Sequence, residues 1–493
     1  MNILGISAGF HDAAATVISP NGDILFAGHS ERYSKIKNDA NLCTDLMHDV
    51  ISYGPIDTIA YYERPWLKQL RQLYSGQGIE WNKLSTKKIL ATQLGESIKL
   101  PKNIKTCGHH LSHAAAGFQT STFDRATVIV IDAIGEWDTI TIWGAEYVNG
   151  KAKYKRLWVQ KYPHSIGLFY SAMTKRAGLK PNEEEYILMG MAAYGSAISA
   201  TTMQNLLISD EWEITFNSNL HLGVEKEFLQ LTHDADLAAA AQKVLERLVY
   251  NIMHRARNFK WSTNLVYAGG VALNCVANRN LGDYFEHIWI MPSPSDAGSS
   301  LGAAAISYGK HINWNNAFLG HDIAGPYPVN DLLDYLLRDR IVGVASGRAE
   351  FGPRALGNRS LLADPRGHDI RDRVNAIKKR HQFRPFAPVI LAEMADQYFD
   401  FSGGWINSPY MQSVASCKFP NNFPAICHYD GTSRVQTVEK DGSGIRELLE
   451  KWYVLTECPM LLNTSLNIRG EPMVNDRADA DRFENLYKVK VCS

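Results

Sequence analysis

Short apolar runs and amphipathic stretches alternate along residues 1–320, and this alternation predicts an α/β fold. Strands are predicted at Asn2–Ser7 and Ala14–Ile18, around a Gly-Phe-His-Asp turn. A second pair is predicted at residues 126–133 and 139–147, around Gly-Glu-Trp-Asp. Because both strand–turn–strand units repeat one pattern, the sequence indicates an internal duplication.

The remaining pattern divides the chain into two domains. Residues 320–330 are rich in glycine and proline, which predicts a linker between a domain at residues 1–320 and an α+β domain at residues 331–493. Helices are predicted at residues 110–119, 238–258, 295–308, 369–379, 445–455 and 478–487, and further strands at residues 57–63, 265–268, 341–345 and 387–391. Residues 54–96 are the least regular and are interpreted as a family-specific insertion.

Composition narrows the class of protein. The 493 residues balance 51 basic against 51 acidic side chains, so a nucleic-acid polymer is not predicted as a partner. The seven cysteines form no CxxC pair, the N-terminus lacks a signal-peptide pattern, and no run reaches the ~20 apolar residues of a membrane span. These features predict a cytoplasmic protein with no membrane partner, and a homodimer stays open.

Arginine and glycine are concentrated in the run GRAEFGPRALGNRSLLADPR, residues 347–366, which contains Arg354. Arginine grips phosphate or carboxylate with two parallel hydrogen bonds, and glycine lets a ligand approach the backbone. Two further runs, IKKRHQFRPFAP with Lys378 and Arg384, and NTSLNIRGEP with Ser465 and Asn467, add polar groups. Together they predict a pocket for a small, multiply anionic molecule, whereas arginines in surface ion pairs are the alternative.

Histidine and aspartate provide a candidate metal site. His109 and His113 are four residues apart, so a helix places both on one face, Asp132 ends a strand and Asp296 opens a helix. Two imidazoles and two carboxylates suit iron, manganese or zinc, with iron(II) preferred here. The alternative is that the histidines belong to the core or the surface.

Candidate catalytic residues lie beside this group. His11 and Asp12 occupy the first strand–turn–strand unit, where they could orient or deprotonate an attacking hydroxyl, or could simply cap the turn. His110 is the third candidate, between the two histidines of the metal site.

A glycine-rich turn is a candidate nucleotide site. Gly269, Gly270 and Asn274 lie in VYAGGVALN, which reads as a strand, a turn and the start of a helix. An ordinary turn is the alternative. GMAAYG, residues 190–195, is a candidate for the opposite wall of the cleft, with close helix packing as its alternative.

In these motifs the chain closely resembles the NodU/CmcH-type O-carbamoyltransferases. The match runs nearly end to end, from GISAGFHDAA through HHLSHAA, VIDAIGEWD, MGMAAYG and PSPSDAGSSLGAA to GRAEFGPRALGNRS, FRPFAP, DGTSRVQTV and NTSLNIRGEP. The resemblance implies a duplicated actin-like (ASKHA) domain, similar to the tRNA threonylcarbamoyl-transfer protein, followed by a YrdC-like domain.

The resemblance also implies a two-step reaction. The YrdC-like domain would use ATP, Mg²⁺ and carbamoyl phosphate to form carbamoyladenylate, with Lys378, Arg384, Ser465 and Asn467 on its nucleotide signature and Arg354 as its anion-binding arginine. In the actin-like domain, a metal on His109, His113, Asp132 and Asp296 would lie beside the adenylate. The acceptor would be a hydroxyl of a small molecule: a sugar, an antibiotic-like scaffold or a hydroxymethylated pyrimidine nucleotide.

Two departures from the family pattern stand out, Ile187 in place of a lysine and His381 in place of a glutamate.

Two alternative functions stay open, a threonylcarbamoyl-type tRNA modification enzyme and an actin-like kinase. Tyr61, Tyr62, Trp66 and Trp81 are candidates for shaping the acceptor pocket, although aromatic residues are more often core.

Overall fold

The computed structural model describes residues 2–95, 100–225, 228, 233–380, 386–401, 403, 405 and 407–493. In chain order its strands are β1 Asn2–Ser7, β2 Ala14–Ile18, β3 Ile24–His29, β4 Ile56–Tyr61, β5 Asn103–Thr106, β6 Arg125–Gly135, β7 Asp138–Val148, β8 Lys151–Lys161, β9 Ile208–Asp210, β10 Thr215–Phe216, β11 Asn264–Ala268, β12 His287–Trp289, β13 Phe318–Ile323, β14 Ile341–Ala345, β15 Gly347–Glu350, β16 Arg359–Ala363, β17 Ala387–Leu391, β18 Phe399–Asp400, β19 Val414–Cys417, β20 Thr432–Arg434, β21 Gln436–Val438, β22 Met460–Ser465 and β23 Val491–Cys492.

The helices are α1 Ser30–Ser34, α2 Thr44–Ser52, α3 Pro65–Tyr74, α4 Thr86–Leu94, α5 His109–Phe118, α6 Ile166–Arg176, α7 Glu185–Met191, α8 Ala200–Leu207, α9 Asp234–Asn258, α10 Gly298–Tyr308, α11 Val329–Asp339, α12 Asp369–Lys378, α13 Ala395–Tyr398, α14 Gly444–Thr456 and α15 Arg477–Tyr487. Among the residues that the structure describes, no helix combines the length and hydropathy needed to cross a membrane.

Two five-stranded sheets in the N-terminal part have the same topology. The first has the order β3-β2-β1-β4-β5, and the second, read in the same direction, β8-β7-β6-β11-β12. In each, the three leading strands are antiparallel, and two later strands add in parallel beside the first. The predicted duplication and the actin-like fold class are therefore confirmed.

Small residues hold helices α5 and α10 between the two sheets. A Cβ atom at Gly5 in β1 would lie 1.9 Å from the Ser300 carbonyl of α10, and one at Gly302 in α10 would lie 1.8 Å from the Ser112 carbonyl of α5. The alanine-rich composition of both helices has the same effect, because short side chains allow backbones to pack closely. This packing brings the start of α5 next to the end of β6.

The C-terminal part is a six-stranded mixed sheet in the order β21-β17-β22-β16-β14-β23. Helices α11, α14 and α15 cover it, and its own apolar core includes Leu332, Leu362, Leu448 and Phe483. The α+β class is confirmed, while the likeness to YrdC stays a prediction.

Several predicted boundaries differ from the structure. The strand expected at residues 57–63 is Ile56–Tyr61, and the helix expected from residue 295 begins at Gly298. The stretch predicted as a linker contains the end of β13, which pairs with β15. Glycine marks a close approach here, since a Cβ atom at Gly320 would lie 3.2 Å from the Ala349 side chain. The domain limits at residues 320 and 331 stay predictions.

Candidate functional site

Four side chains converge where the two N-terminal sheets meet. His109 and His113 lie one turn apart on α5, Asp132 lies in β6 and Asp296 precedes α10, and their ligand atoms all lie within 4.8 Å of one another. Nε2 of His109 is 3.1 Å from Nε2 of His113, 3.2 Å from Asp132 Oδ2 and 3.3 Å from Asp296 Oδ1. These are the four residues named from the sequence, and metal binding by them stays a prediction.

The charges of this cluster fit a divalent cation. Burial alone would lower the pKa of His109, but Asp296 and Asp132 raise it well above its usual value, and Asp132 and Asp296 raise the pKa of buried His113. A metal would replace these imidazole protons. Two neutral imidazoles with two carboxylates would then balance a dication, and this mixture of nitrogen and oxygen donors suits iron, manganese or zinc.

Groups behind the cluster orient its members. Nδ1 of His113 lies 3.0 Å from the carbonyl oxygen of Pro294, and Asp132 Oδ1 accepts from the amide of Gly270 at 3.1 Å. Nδ1 of His109 has no hydrogen-bond partner among the described residues, and Glu63 Oε2 lies 3.7 Å from it. Glu63 was missed in the sequence because it falls in the irregular stretch 54–96. Its position at the end of the predicted strand 57–63, like that of Asp132 near the end of the predicted strand 126–133, was the available signal.

The first turn brings a third imidazole to the cluster. Nε2 of His11 lies 3.6 Å from Asp296 Oδ2, and its Nδ1 lies 3.2 Å from Asp12 Oδ2. Burial would lower the pKa of His11, but Asp296 and Asp12 raise it to about 9. Asp12 has a φ of 54°, and Glu136 in the matching second turn has a φ of 60°. Both turns therefore use the left-handed conformation, as the duplication implies.

His110 faces away from the four-residue cluster. Its Nδ1 lies 3.0 Å from Thr141 Oγ1, which also accepts from Trp143 Nε1 at 2.8 Å. Burial and neighbouring His109 lower the pKa of His110 well below its usual value, so the ring is neutral. Its catalytic role stays a prediction.

A cavity of about 200 Å³ opens beside the N-terminus of α5. Its walls are Arg64, Gly108, His109, His110, Leu111, Glu136, Asp138, Trp143 and Arg156. Its charged side chains form two ion pairs, Arg64 with Glu136 at 2.7 Å and Arg156 with Asp138 at 3.3 Å. The cavity is therefore polar, nearly neutral and in contact with one candidate metal ligand.

The aromatic residues proposed for an acceptor pocket divide into two groups. Tyr61 and Tyr62 are fully buried core residues, whereas 51% of Trp66 and 73% of Trp81 is exposed. Ile187, the first departure from the family pattern, is buried on α7.

The glycine turn supports the cluster directly. Gly269 has a φ of 91°, and a Cβ atom there would lie 2.2 Å from the carbonyl oxygen of Ile131. The helix expected after it is only a short 3₁₀ turn, Gly270–Leu273. Asn274 exchanges two hydrogen bonds with Gln242, at 3.0 and 3.1 Å. Nucleotide binding by Gly269, Gly270 and Asn274 stays a prediction, and packing already accounts for their identities.

The second candidate site lies at the end of β22 in the C-terminal domain. Nζ of buried Lys378 donates to Ser465 Oγ at 3.2 Å and to the Asn467 side-chain oxygen. Ser465 Oγ donates to Asn467 Oδ1 at 2.7 Å, although Asn467 lies beyond the strand end. The structure thus brings together three of the four residues predicted for the nucleotide signature. Arg384, the fourth, and His381 lie outside the described residues.

Arg354 lies at the junction of the two domains. Its Nη2 donates to the Leu273 carbonyl, in the turn that follows Gly269, at 3.3 Å. The structure places Arg354 beside the N-terminal turn, and its anion-binding role stays a prediction.

The other arginines of the run at residues 347–366 do not form the predicted anion pocket. Arg348 donates to the carbonyls of Leu25, at 2.7 Å, and Leu319. Arg366 pairs with Asp364, with Nε at 2.9 Å from Oδ1. Fully buried Arg359 donates to the carbonyls of Asn475, Ser346, Gly347, Asn358 and His321, at 3.0 to 3.1 Å. Backbone carbonyls thus take the guanidinium groups of Arg348 and Arg359, and Arg366 forms the kind of ion pair given as the alternative. The sequence does not show where these partners lie.

Replacing Arg359 by methionine is expected to lower stability by about 3 kcal/mol, because several buried carbonyl groups lose their donor. Thermal unfolding should report a Tm at least ~5 °C lower. Arg366→Met is the control: 40% of this side chain is exposed, so its ion pair contributes only about 1 kcal/mol or less. Equal Tm values for the two variants would contradict the structural role of Arg359.

The segment GMAAYG, predicted as one wall of the nucleotide cleft, contacts the C-terminal domain at the surface. A Cβ atom at Gly195 would lie 1.9 Å from the Ala235 carbonyl, which supports the helix-packing alternative for that glycine. Next to it, Tyr194 stacks on Tyr429 of the HYDGTSR segment, with ring centroids 5.1 Å apart. The contact joins the two domains.

Two family profiles match the chain. The profile described as "Carbamoyltransferase N-terminus" covers residues 68–305, and "Carbamoyltransferase C-terminus" covers residues 333–491. The first profile contains His109, His113, Asp132 and Asp296, and the second contains Lys378, Ser465 and Asn467. His11, Asp12 and Glu63 precede residue 68 and lie outside both matches.

Curated relatives match along most of the chain. An uncharacterised protein of Synechocystis is 33% identical, over 98% of this chain and 94% of its own length. Nodulation protein NolNO of Sinorhizobium fredii is 30% identical, over 95% of this chain and 76% of its own. Nodulation protein U of Azorhizobium caulinodans is 34% identical, over 50% of this chain and 46% of its own.

Proposed function

The chain belongs to the carbamoyltransferase family, and from that membership we propose that it is an ATP-dependent O-carbamoyltransferase. The main support is the presence of two separate polar sites within one member of this family. One is the His–Asp cluster of the N-terminal domain, and the other is the Lys–Ser–Asn group of the C-terminal domain.

The C-terminal group makes the activated intermediate. Carbamoyl phosphate loses its phosphoryl group to water as inorganic phosphate, and a carbamate oxygen attacks the α-phosphorus of ATP. The bond to pyrophosphate breaks, and carbamoyladenylate forms. The reactants are anionic, so the ammonium of Lys378, positioned by Ser465 and Asn467, stabilises the charge that they bring together. Mg²⁺ accompanies ATP in this step.

The N-terminal cluster transfers the carbamoyl group. The acceptor hydroxyl oxygen bonds to the carbamoyl carbon, the bond from that carbon to the AMP oxygen breaks, and AMP leaves. His11, held by Asp12, takes the hydroxyl proton, because a dication on Asp296 would offset the carboxylate charge that raises the pKa of His11 in the metal-free cluster. His109, His113, Asp132 and Asp296 would hold a divalent metal, iron(II) by preference, which when bound polarises a carbonyl and balances phosphate charge.

The acceptor is a small molecule with a free hydroxyl. We propose that it enters through the cavity beside α5, because His109 forms part of both the cavity wall and the cluster. Carbamoyladenylate reacts with water, so passage between the sites inside the protein protects it. A cytoplasmic location, where ATP and carbamoyl phosphate are available, is part of this proposal.

An assay without acceptor tests the proposal. The protein, loaded with metal, is incubated with ATP, Mg²⁺ and carbamoyl phosphate, and pyrophosphate release and carbamoyladenylate mass are measured. We expect both products, and neither when carbamoyl phosphate is omitted. Release of ADP instead would indicate a kinase, and adenylate formation that requires threonine and bicarbonate would indicate a threonylcarbamoyl enzyme.

A further inference from the structure

We propose that Glu63 and Lys68 form a buried pair that positions His109 for metal binding. This inference rests on the metal site in the proposed function. Neither residue belongs to the four-residue cluster, and neither was named from the sequence, although both lie in the stretch 54–96 whose aromatic residues were candidates for the acceptor pocket. Glu63 follows β4, and Lys68 lies on α3.

The pair is closed off from solvent, and the two side chains bond to each other. Glu63 is 3% exposed and Lys68 is 7% exposed. Nζ of Lys68 donates to both carboxylate oxygens, at 2.8 and 3.0 Å. The Oε2 atom of the same carboxylate lies 3.7 Å from Nδ1 of His109. Glu63 is therefore the charged group that faces the back of this imidazole.

The position of the imidazole proton explains how Glu63 would prepare His109 for metal binding. Nε2 of His109 faces the cluster, so it must present a lone pair to a metal. A carboxylate behind Nδ1 favours the proton on that nitrogen and leaves Nε2 unprotonated. His113 obtains the same orientation from the Pro294 carbonyl at 3.0 Å. The two histidines thus use the two kinds of partner, carboxylate and backbone carbonyl, that commonly stand behind metal ligands.

Pairing with Lys68 offsets the cost of burying the Glu63 carboxylate. An unpaired carboxylate at this depth would be strongly disfavoured by the loss of its hydration. Pairing with Lys68 neutralises it, so Asp132 and Asp296 supply the net negative charge near the metal. The ammonium of Lys68 also lies 2.9 Å from the ring centroid of Phe10, the residue before His11. The pair therefore connects the turn carrying His11 with the helix carrying His109.

The test is the double variant Glu63→Gln with Lys68→Met, which leaves no unpaired buried charge. Co²⁺ binding is titrated on the metal-free full chain, in competition with a chromophoric chelator, and the visible Co²⁺ spectrum is recorded. We expect the Kd for Co²⁺ to be about 10–100-fold higher than that of the unmodified protein, which is the range typical when a group behind a metal ligand is lost. The spectrum should also change, because His109 is no longer held in one orientation.

The matched control is Glu136→Gln with Arg64→Met. This control also removes a buried carboxylate, that of Glu136, which is 6% exposed, together with the cation that pairs with it, Arg64. Glu136 pairs with Arg64 and not with His109. Its Kd for Co²⁺ is expected to equal that of the unmodified protein. Equal Kd values for both double variants would overturn the positioning role and leave the metal site intact. Absence of Co²⁺ binding to the unmodified protein would overturn the metal site itself, and this inference with it.

Discussion

Replacing Lys378 by methionine is expected to abolish carbamoyladenylate formation, with pyrophosphate release at least ~10³-fold slower. The buried ammonium contacts Ser465 and Asn467 and is the charge that this group offers to ATP and carbamoyl phosphate. Methionine keeps the length of the side chain and adds no charge, so the helix and strand around it should persist. The acceptor-free assay measures the loss.

Lys379 provides a matched control for this substitution. It is the next residue, is exposed at the C-terminal end of α12, and its Nζ lies 5.8 Å from the ring centroid of Tyr487. Lys379→Met should keep pyrophosphate release within ~2-fold of the unmodified protein, because surface charges of this kind contribute little. If Lys378→Met also keeps its activity, the C-terminal site works without that ammonium and the proposed first step is wrong.

Replacing His113 by alanine is expected to abolish carbamoyl transfer and to leave carbamoyladenylate formation intact, the reverse of the effect expected for Lys378→Met. The variant loses one of four convergent donors of the cluster, so bound metal and carbamoyl transfer should both be lost, transfer by at least ~10²-fold. Carbamoyladenylate formation should continue, since Lys378 lies in the other domain. Metal analysis, pyrophosphate release and product formation with an acceptor selected from sugars and nucleosides provide the three readouts.

A mixture of the two variants tests how the intermediate moves. If carbamoyladenylate stays within one chain, Lys378→Met and His113→Ala remain inactive together. Recovered transfer would show that the intermediate is released into solution. If each variant alone loses pyrophosphate release to the same extent, the assignment of one half-reaction to each domain is contradicted.

The convergence of the four side chains in the N-terminal domain could be predicted from the sequence, because it follows from local rules. His109 and His113 share a helix face at four-residue spacing, and Asp132 lies near the end of a buried strand at the sheet edge. The duplicated sheets were likewise predictable from two matching strand–turn–strand units. Such features depend on residues close together in the chain, where periodicity and turn chemistry are visible.

Contacts between distant segments were not predictable in the same way. Arg359 resembles a ligand-binding arginine in sequence, yet five backbone carbonyl oxygens surround it, including those of His321 and Asn475, which are 38 and 116 residues away. Asn274 resembles a helix-cap residue at a nucleotide site, yet an amide on α9 takes both of its hydrogen-bonding groups. Asn475 for Arg359 and Gln242 for Asn274 thus lie far away in the sequence, where no local pattern points to the contact.

The junction of the two domains has a consequence for how members of this family can be recombined. Arg348 reaches across it to the Leu25 carbonyl, and Arg32 reaches back to the Gly352 carbonyl, each at 2.7 Å. Both acceptors belong to the backbone, so they persist whatever side chains the opposite domain carries. Chimeras that exchange one domain between relatives therefore need to keep these two arginines, together with the contacts of Arg354 and Tyr194 across the same junction, before either domain can serve as a reusable part.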